Sequence, residues 1–152
     1  MKEFTNINFI LDFAINQEQE SVDFYMNLAT KVLNKEMKKI FENFAKEEIG
    51  HKAKLIKLKE EGLSNSFNNE NIANLKMDEY LVNVKPSPDM TYQDALILAM
   101  KKEKYAFKLY TNLADYAKAE NLKNIFLMLA QEEAKHKLRF EIEYDEFVLK
   151  EN

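Results

Sequence analysis

Glu48-Ile49-Gly50-His51 and Glu133-Ala134-Lys135-His136 are the two stretches on which the reading of this 152-residue chain turns. They lie 85 residues apart, and His51 and His136 are the only histidines in the sequence. On a helix, residues three apart project from one face, so each Glu-x-x-His sets a carboxylate beside an imidazole. Such a pair supplies half of a metal-ligand set.

Working outward from the first pair, Met37, Phe41, Phe44, Leu55 and Leu58 continue its register in steps of three and four, which predicts a bundle helix with Glu48 and His51 at the centre of its apolar stripe. Asn34 is its expected N-cap, and Gly62 ends it. The segment before it, from about Thr5 to Leu33, carries a second stripe: Ile7, Leu11, Ala14, Glu18, Ser21, Tyr25, Leu28 and Val32. Here too a carboxylate, Glu18, sits where an apolar residue is expected, a costly placement unless it is paired, protonated or bound to metal. The short link makes the two helices antiparallel neighbours.

Residues 62–90 read as a crossover: Ser64 to Asn69 is polar, Met77 to Val84 has room for a helical turn or two, and Lys85-Pro86-Ser87-Pro88 stops any helix. A third helix follows a variant capping box at Thr91-Tyr92-Gln93-Asp94. Its stripe is Tyr92, Leu96, Ala99, Glu103, Ala106, Tyr110, Leu113 and Ala117. The fourth, from about Asn121 to Lys150, presents Leu122, Phe126, Leu129, Glu133, His136, Phe140 and Phe147. Glu18/Glu103, Tyr25/Tyr110, Phe41/Phe126 and Lys52/Lys137 all repeat at the offset of 85, so the chain is a duplicated helical hairpin. The expected architecture is an all-α, antiparallel four-helix bundle in one domain over 1–152, with hairpins at about 5–61 and 91–150.

Composition narrows the function. Two glycines and two prolines leave few tight turns, and 46% apolar with 32% charged residues suits a helical domain with its own core. A net charge of −4 with no long basic run argues against nucleic acid as a partner. The absence of cysteine rules out thiol, iron–sulfur and thiolate-zinc chemistry within this sequence, and fits a reducing compartment. No stretch reaches the roughly 18 apolar residues of a membrane span, and the first residues lack a signal-peptide pattern, so a cytoplasmic location is expected.

A lone Glu-x-x-His reads most simply as a solvated helix face, and a lone seam glutamate as a core carboxylate held by a hydroxyl. Two such sets on apolar stripes at one offset read differently. Pseudo-symmetry brings Glu18, Glu48, His51, Glu103, Glu133 and His136 to similar depth, where four ionised carboxylates repel unless neutralised. Two divalent cations balance them. Oxygen-rich ligands with one nitrogen per metal suit iron or manganese better than copper, and ligand type alone leaves zinc open.

The doubled set resembles the ferritin-like di-iron carboxylate superfamily, and within it the rubrerythrin-like branch, through Glu18 to Tyr25 (EQESVDFY), Glu47 to His51 (EEIGH), Glu103 to Tyr110 (EKYAFKLY) and Glu132 to His136 (EEAKH). The resemblance implies bridging roles for Glu48 and Glu133, terminal roles for Glu18 and Glu103, and one metal for each of His51 and His136. Tyr25 and Tyr110 would then act behind the ligands, orienting a carboxylate or quenching a stray oxidant, and Glu47 and Glu132 are weaker candidates for hydrogen bonds to the imidazoles. It further implies two iron ions, peroxide or dioxygen as substrate, an external electron-donor protein and a homodimer, with exchange of the crossover between subunits left open. Two departures stand out. Ala106 occupies the position where peroxidase rubrerythrins carry a further glutamate, and no cysteine-rich rubredoxin module is present. Iron handling, including ferroxidation, and a non-catalytic metal-binding module are the alternative functions.

Overall fold

The structure is a computed structural model that describes residues 6–151; Thr5, where the sequence reading starts the first helix, lies outside the described residues. The described residues form five α-helices and one 3-10 turn and fall into two compact units divided between Leu75 and Lys76.

The first unit is a hairpin of α1 (Ile7–Lys31) and α2 (Lys35–Glu61). Asn6 caps α1 by accepting from Phe9 N at 3.1 Å, and Asn34 caps α2 by accepting from Met37 N at 3.0 Å. Each side-chain oxygen satisfies a backbone donor that the first helical turn leaves without a partner. Three residues join the helices, so the chain reverses and α1 and α2 pack along their lengths. α2 stops at Gly62, whose φ of 78° lies in the left-handed region.

The predicted stripes are buried apart from Val32, Phe44, Tyr92, Ala106 and Phe147, which are half-buried, and α1 buries a broader face than a single seam: Ile10, Phe13, Val22 and Phe24 join it. Beyond Gly62, from the end of the polar stretch Ser64 to Asn69, runs a six-residue helix, α3 (Asn69–Asn74), in a part of the crossover where the sequence suggested no helix. Asn68 explains it, because one side-chain oxygen accepts from both Glu70 N (2.9 Å) and Asn71 N (3.2 Å), while Ile72 is buried. Of the one or two turns suggested for Met77 to Val84, one forms, a 3-10 turn over Met77–Glu79.

The second unit repeats the hairpin with α4 (Tyr92–Tyr116) and α5 (Glu120–Glu151). Thr91 Oγ1 accepts from Asp94 N at 3.0 Å, the cap expected from the sequence. At one end of this pair, Lys123 Nζ donates to the carbonyls of Ala114 (3.2 Å) and Asp115 (3.3 Å), satisfying acceptors in the last turn of α4. At the other end, the Tyr92 hydroxyl donates to Glu143 Oε2 at 2.9 Å and its ring meets Phe147 edge-on at 5.1 Å. Burial and the Glu143 acceptor both raise the Tyr92 pKa, keeping its proton in place. Tyr80, buried just after the 3-10 turn, accepts from Asn112 Nδ2 at 2.7 Å and so fastens the incoming chain to α4. No helix among the described residues is long and apolar enough to cross a membrane.

Candidate metal centre

In the first hairpin, Glu18 comes from the middle of α1, and Glu48 and His51 from the middle of α2. Helical register alone puts them on the facing stripes, and their exposures of 2%, 1% and 4% show how fully they are withdrawn from water. His51 Nδ1 stands 3.1 Å from Glu48 Oε1 and 3.6 Å from Glu18 Oε2. The second hairpin repeats the arrangement: Glu103 on α4 with Glu133 and His136 on α5 are 0%, 1% and 2% exposed. There His136 Nδ1 lies 3.5 Å from Glu103 Oε2. Within each triad, one donor atom from each residue falls inside a 4.8 Å span.

The spacing suits a cation. Oxygen and nitrogen ligands each about 2.0–2.2 Å from a common ion are separated from one another by about 3–3.7 Å, a range that brackets all three distances above. The charge balance agrees, since two carboxylates and a neutral imidazole carry −2 and one divalent ion cancels it within the same hairpin. Without an ion, a proton takes over part of that role at His51. Burial alone lowers the His51 pKa, but the adjoining Glu18 and Glu48 carboxylates outweigh it and raise the value to about 11. An acceptor-rich pocket that holds an imidazolium so firmly is already arranged for positive charge.

Tyr25 and Tyr110 are 0% and 1% exposed, seven residues beyond Glu18 and Glu103. Tyr25 stacks on Phe41 at 6.4 Å and 23°, and Tyr110 stacks on Phe126 at 6.3 Å and 25°, so the duplication extends to ring geometry. Phe44 adds an edge contact to Tyr25 at 6.5 Å. The sequence reading treated Phe41 and Phe126 as seam residues only; their shared offset with the tyrosines was the signal that they are ring partners. Glu47 is exposed and Glu132 half-buried, while Ser21 is buried one turn from Glu18 where the second repeat has Ala106.

Comparison with known proteins agrees with this geometry. The Rubrerythrin family model matches residues 10–87 and 94–152. A Thermotoga maritima protein assigned as ferritin-like diiron-carboxylate superposes with a TM-score of 0.73 at 23% identity, covering 96% of this chain and 99% of that one. A Pyrococcus furiosus protein described as hypothetical superposes with a TM-score of 0.68 at 27% identity, covering 89% and 85%. A search of curated proteins returned no match. The fold is therefore all-α and ferritin-like, and the chain belongs to the rubrerythrin family.

Proposed function

We propose that each triad holds one iron ion, and that the protein uses this pair to reduce hydrogen peroxide or dioxygen with electrons delivered by another protein. The observation that carries this reading is the duplicated, almost wholly buried set of two carboxylates and one imidazole in a member of the rubrerythrin family. The Thermotoga neighbour's description as diiron-carboxylate supports iron over manganese or zinc.

In this reading Glu18, Glu48 and His51 would hold one ion, and Glu103, Glu133 and His136 would hold the other. When bound, iron supplies the electron transfer to the O–O bond. The chain's own contribution is to fix the ligands and control protons. Helical register and apolar packing hold each carboxylate within reach of its imidazole without a search through side-chain conformers. The stacked Phe41 and Phe126 rings hold the Tyr25 and Tyr110 phenols in place behind the ligands, where a hydroxyl orients a carboxylate and a phenol intercepts a misdirected oxidising equivalent. The absence of cysteine leaves no thiolate cluster in this sequence to store electrons, hence the external donor.

Anaerobic iron loading followed by elemental analysis and a peroxide titration watched by absorbance tests the reading. Wild type should bind about two irons per chain and reoxidise as peroxide is consumed, while His51→Ala and His136→Ala should each lose about one iron and most of the turnover. Full iron content with unchanged peroxide reduction in both variants would sink it. Rapid ferrous oxidation by dioxygen without peroxide reduction would favour ferroxidation instead.

A further inference from the structure

The duplication supplies an internal comparison away from the ligands. On the first hairpin, three polar side chains form a hydrogen-bonded chain across the outer groove between α1 and α2: Lys52 Nζ donates to Gln19 Oε1 at 2.7 Å, and Gln19 Nε2 donates to Asp23 Oδ1 at 2.9 Å. Their net charge is zero. At the offset of 85 the same three positions are Lys137, Lys104 and Lys108. Three cations cannot repeat that chain. Lys137 turns along its own helix to Glu141 at 3.1 Å, and Lys108 leans toward Glu79 at 3.8 Å and over the Tyr80 ring.

The groove between α4 and α5 is consequently open. It encloses about 630 Å³, and Lys104, Phe107, Lys108, Ala134, Lys137 and Glu141 are among its lining residues. Size as well as charge has changed: Ala134 replaces Ile49, and the buried Val22 becomes Phe107, which is 40% exposed. An apolar floor with an aromatic ring and a rim of three lysines and one carboxylate, Glu141, stands on a chain whose total charge is −4.

We propose that this groove is the docking surface for a small acidic electron-carrier protein, with Lys104, Lys108 and Lys137 meeting its carboxylates and Phe107 its apolar contact patch. The proposal rests on the redox reading above and names where the donor sits. Charge complementarity favours an acidic partner here, because three lysines converge on one apolar groove of a chain whose net charge is negative, and their placement selects an orientation. Position favours an electron carrier. Lys104, Ala134 and Lys137 each directly follow a ligand of the second triad, Glu103, Glu133 and His136. Successive residues on a helix turn by about 100°, so a partner seated in this groove lies within about one helix diameter, roughly 10–12 Å, of that triad.

Stopped-flow reduction of the iron-loaded, oxidised protein by a reduced plant-type [2Fe–2S] ferredoxin, a small acidic carrier, tests this. One electron leaves the ferredoxin cluster for each ferric ion reduced. The second-order rate should fall steeply as salt is raised. Lys104→Gln/Lys108→Asp, which installs the first hairpin's residues, should lower the low-salt rate about tenfold or more and flatten the salt dependence, with iron content unchanged. Ala134→Ile, which fills the groove without altering charge, should also slow transfer, whereas reversing the exposed Lys39, Lys46 and Lys57 of α2 to Glu should change the rate less than twofold. Equal effects of the groove and α2 variants, a salt-independent rate, or no transfer from ferredoxin would overturn the proposal. So would groove variants that alter sedimentation, marking a surface for a second copy, or lysine-dependent binding of decanoate, marking a small-anion site. Direct reduction by dithionite separates the two levels: iron that dithionite leaves ferric refutes the redox reading, whereas iron reduced by dithionite but indifferent to the lysines refutes only the docking site.

Discussion

His51 shows how a buried side chain can be charged in one state and neutral in another. With Glu18 and Glu48 beside it and no ion bound, its pKa stands at about 11 against an ordinary 6.5, so at pH 7 it carries a proton that a metal must displace. Metal uptake should therefore release protons at neutral pH and strengthen as pH rises. Calorimetric titration in two buffers of different ionisation heat measures the release, and binding heats that do not depend on the buffer would contradict the assignment. The sign for the metal-free fold is the reverse. A pKa raised on folding stabilises fully below about 6.5, and that contribution is lost as pH climbs toward 11. The sequence showed which residues these are, because Glu18, Glu48 and His51 interrupt apolar stripes; it did not show which imidazole nitrogen faces the carboxylates, since that depends on side-chain torsions set by packing.

The helices were legible for local reasons. Asn34, Thr91 and Gly62 are start and stop signals whose chemistry acts within three residues, and the structure uses all three as expected. α3 escaped notice because Asn69 to Asn74 has a loop's composition, and one side-chain oxygen on Asn68 decides its conformation. The groove between α4 and α5 was hidden as well: Lys104 and Lys108 on α4 and Lys137 on α5 form no motif, and only the first hairpin's hydrogen-bonded counterpart sets them apart. The two glycines give a paired test of the backbone argument. Neither has any atom within 4 Å of where a Cβ would sit, so backbone conformation alone decides the outcome. Gly62→Ala should cost about 1 kcal/mol because φ is +78°. Gly50→Ala, inside α2 and exposed, should add about 0.5–1 kcal/mol. Urea unfolding of both variants checks the opposite signs.

At the level of the whole chain, duplication made the fold readable. One offset aligned the four helices that carry the candidate ligands, and the family match spans all four. Duplication also links stability to occupancy. Each hairpin withdraws two carboxylates and an imidazole from water, and whatever binds them only in the folded state raises the unfolding midpoint by mass action. At a free metal concentration 100 times the dissociation constant the gain is about 2.7 kcal/mol per site, so iron loading should raise the melting temperature by several degrees and a chelator should reverse it. A melting temperature indifferent to chelation would place these six side chains outside any metal site. The sealed tyrosines add a practical consequence. The chain has no tryptophan, so its ultraviolet emission comes from seven tyrosines, and Tyr25 and Tyr110 are fixed two helical turns from a ligand in each half. Quenching of that intrinsic fluorescence would report iron arriving in each hairpin without a label, with Tyr25→Phe and Tyr110→Phe assigning the signal to one half or the other.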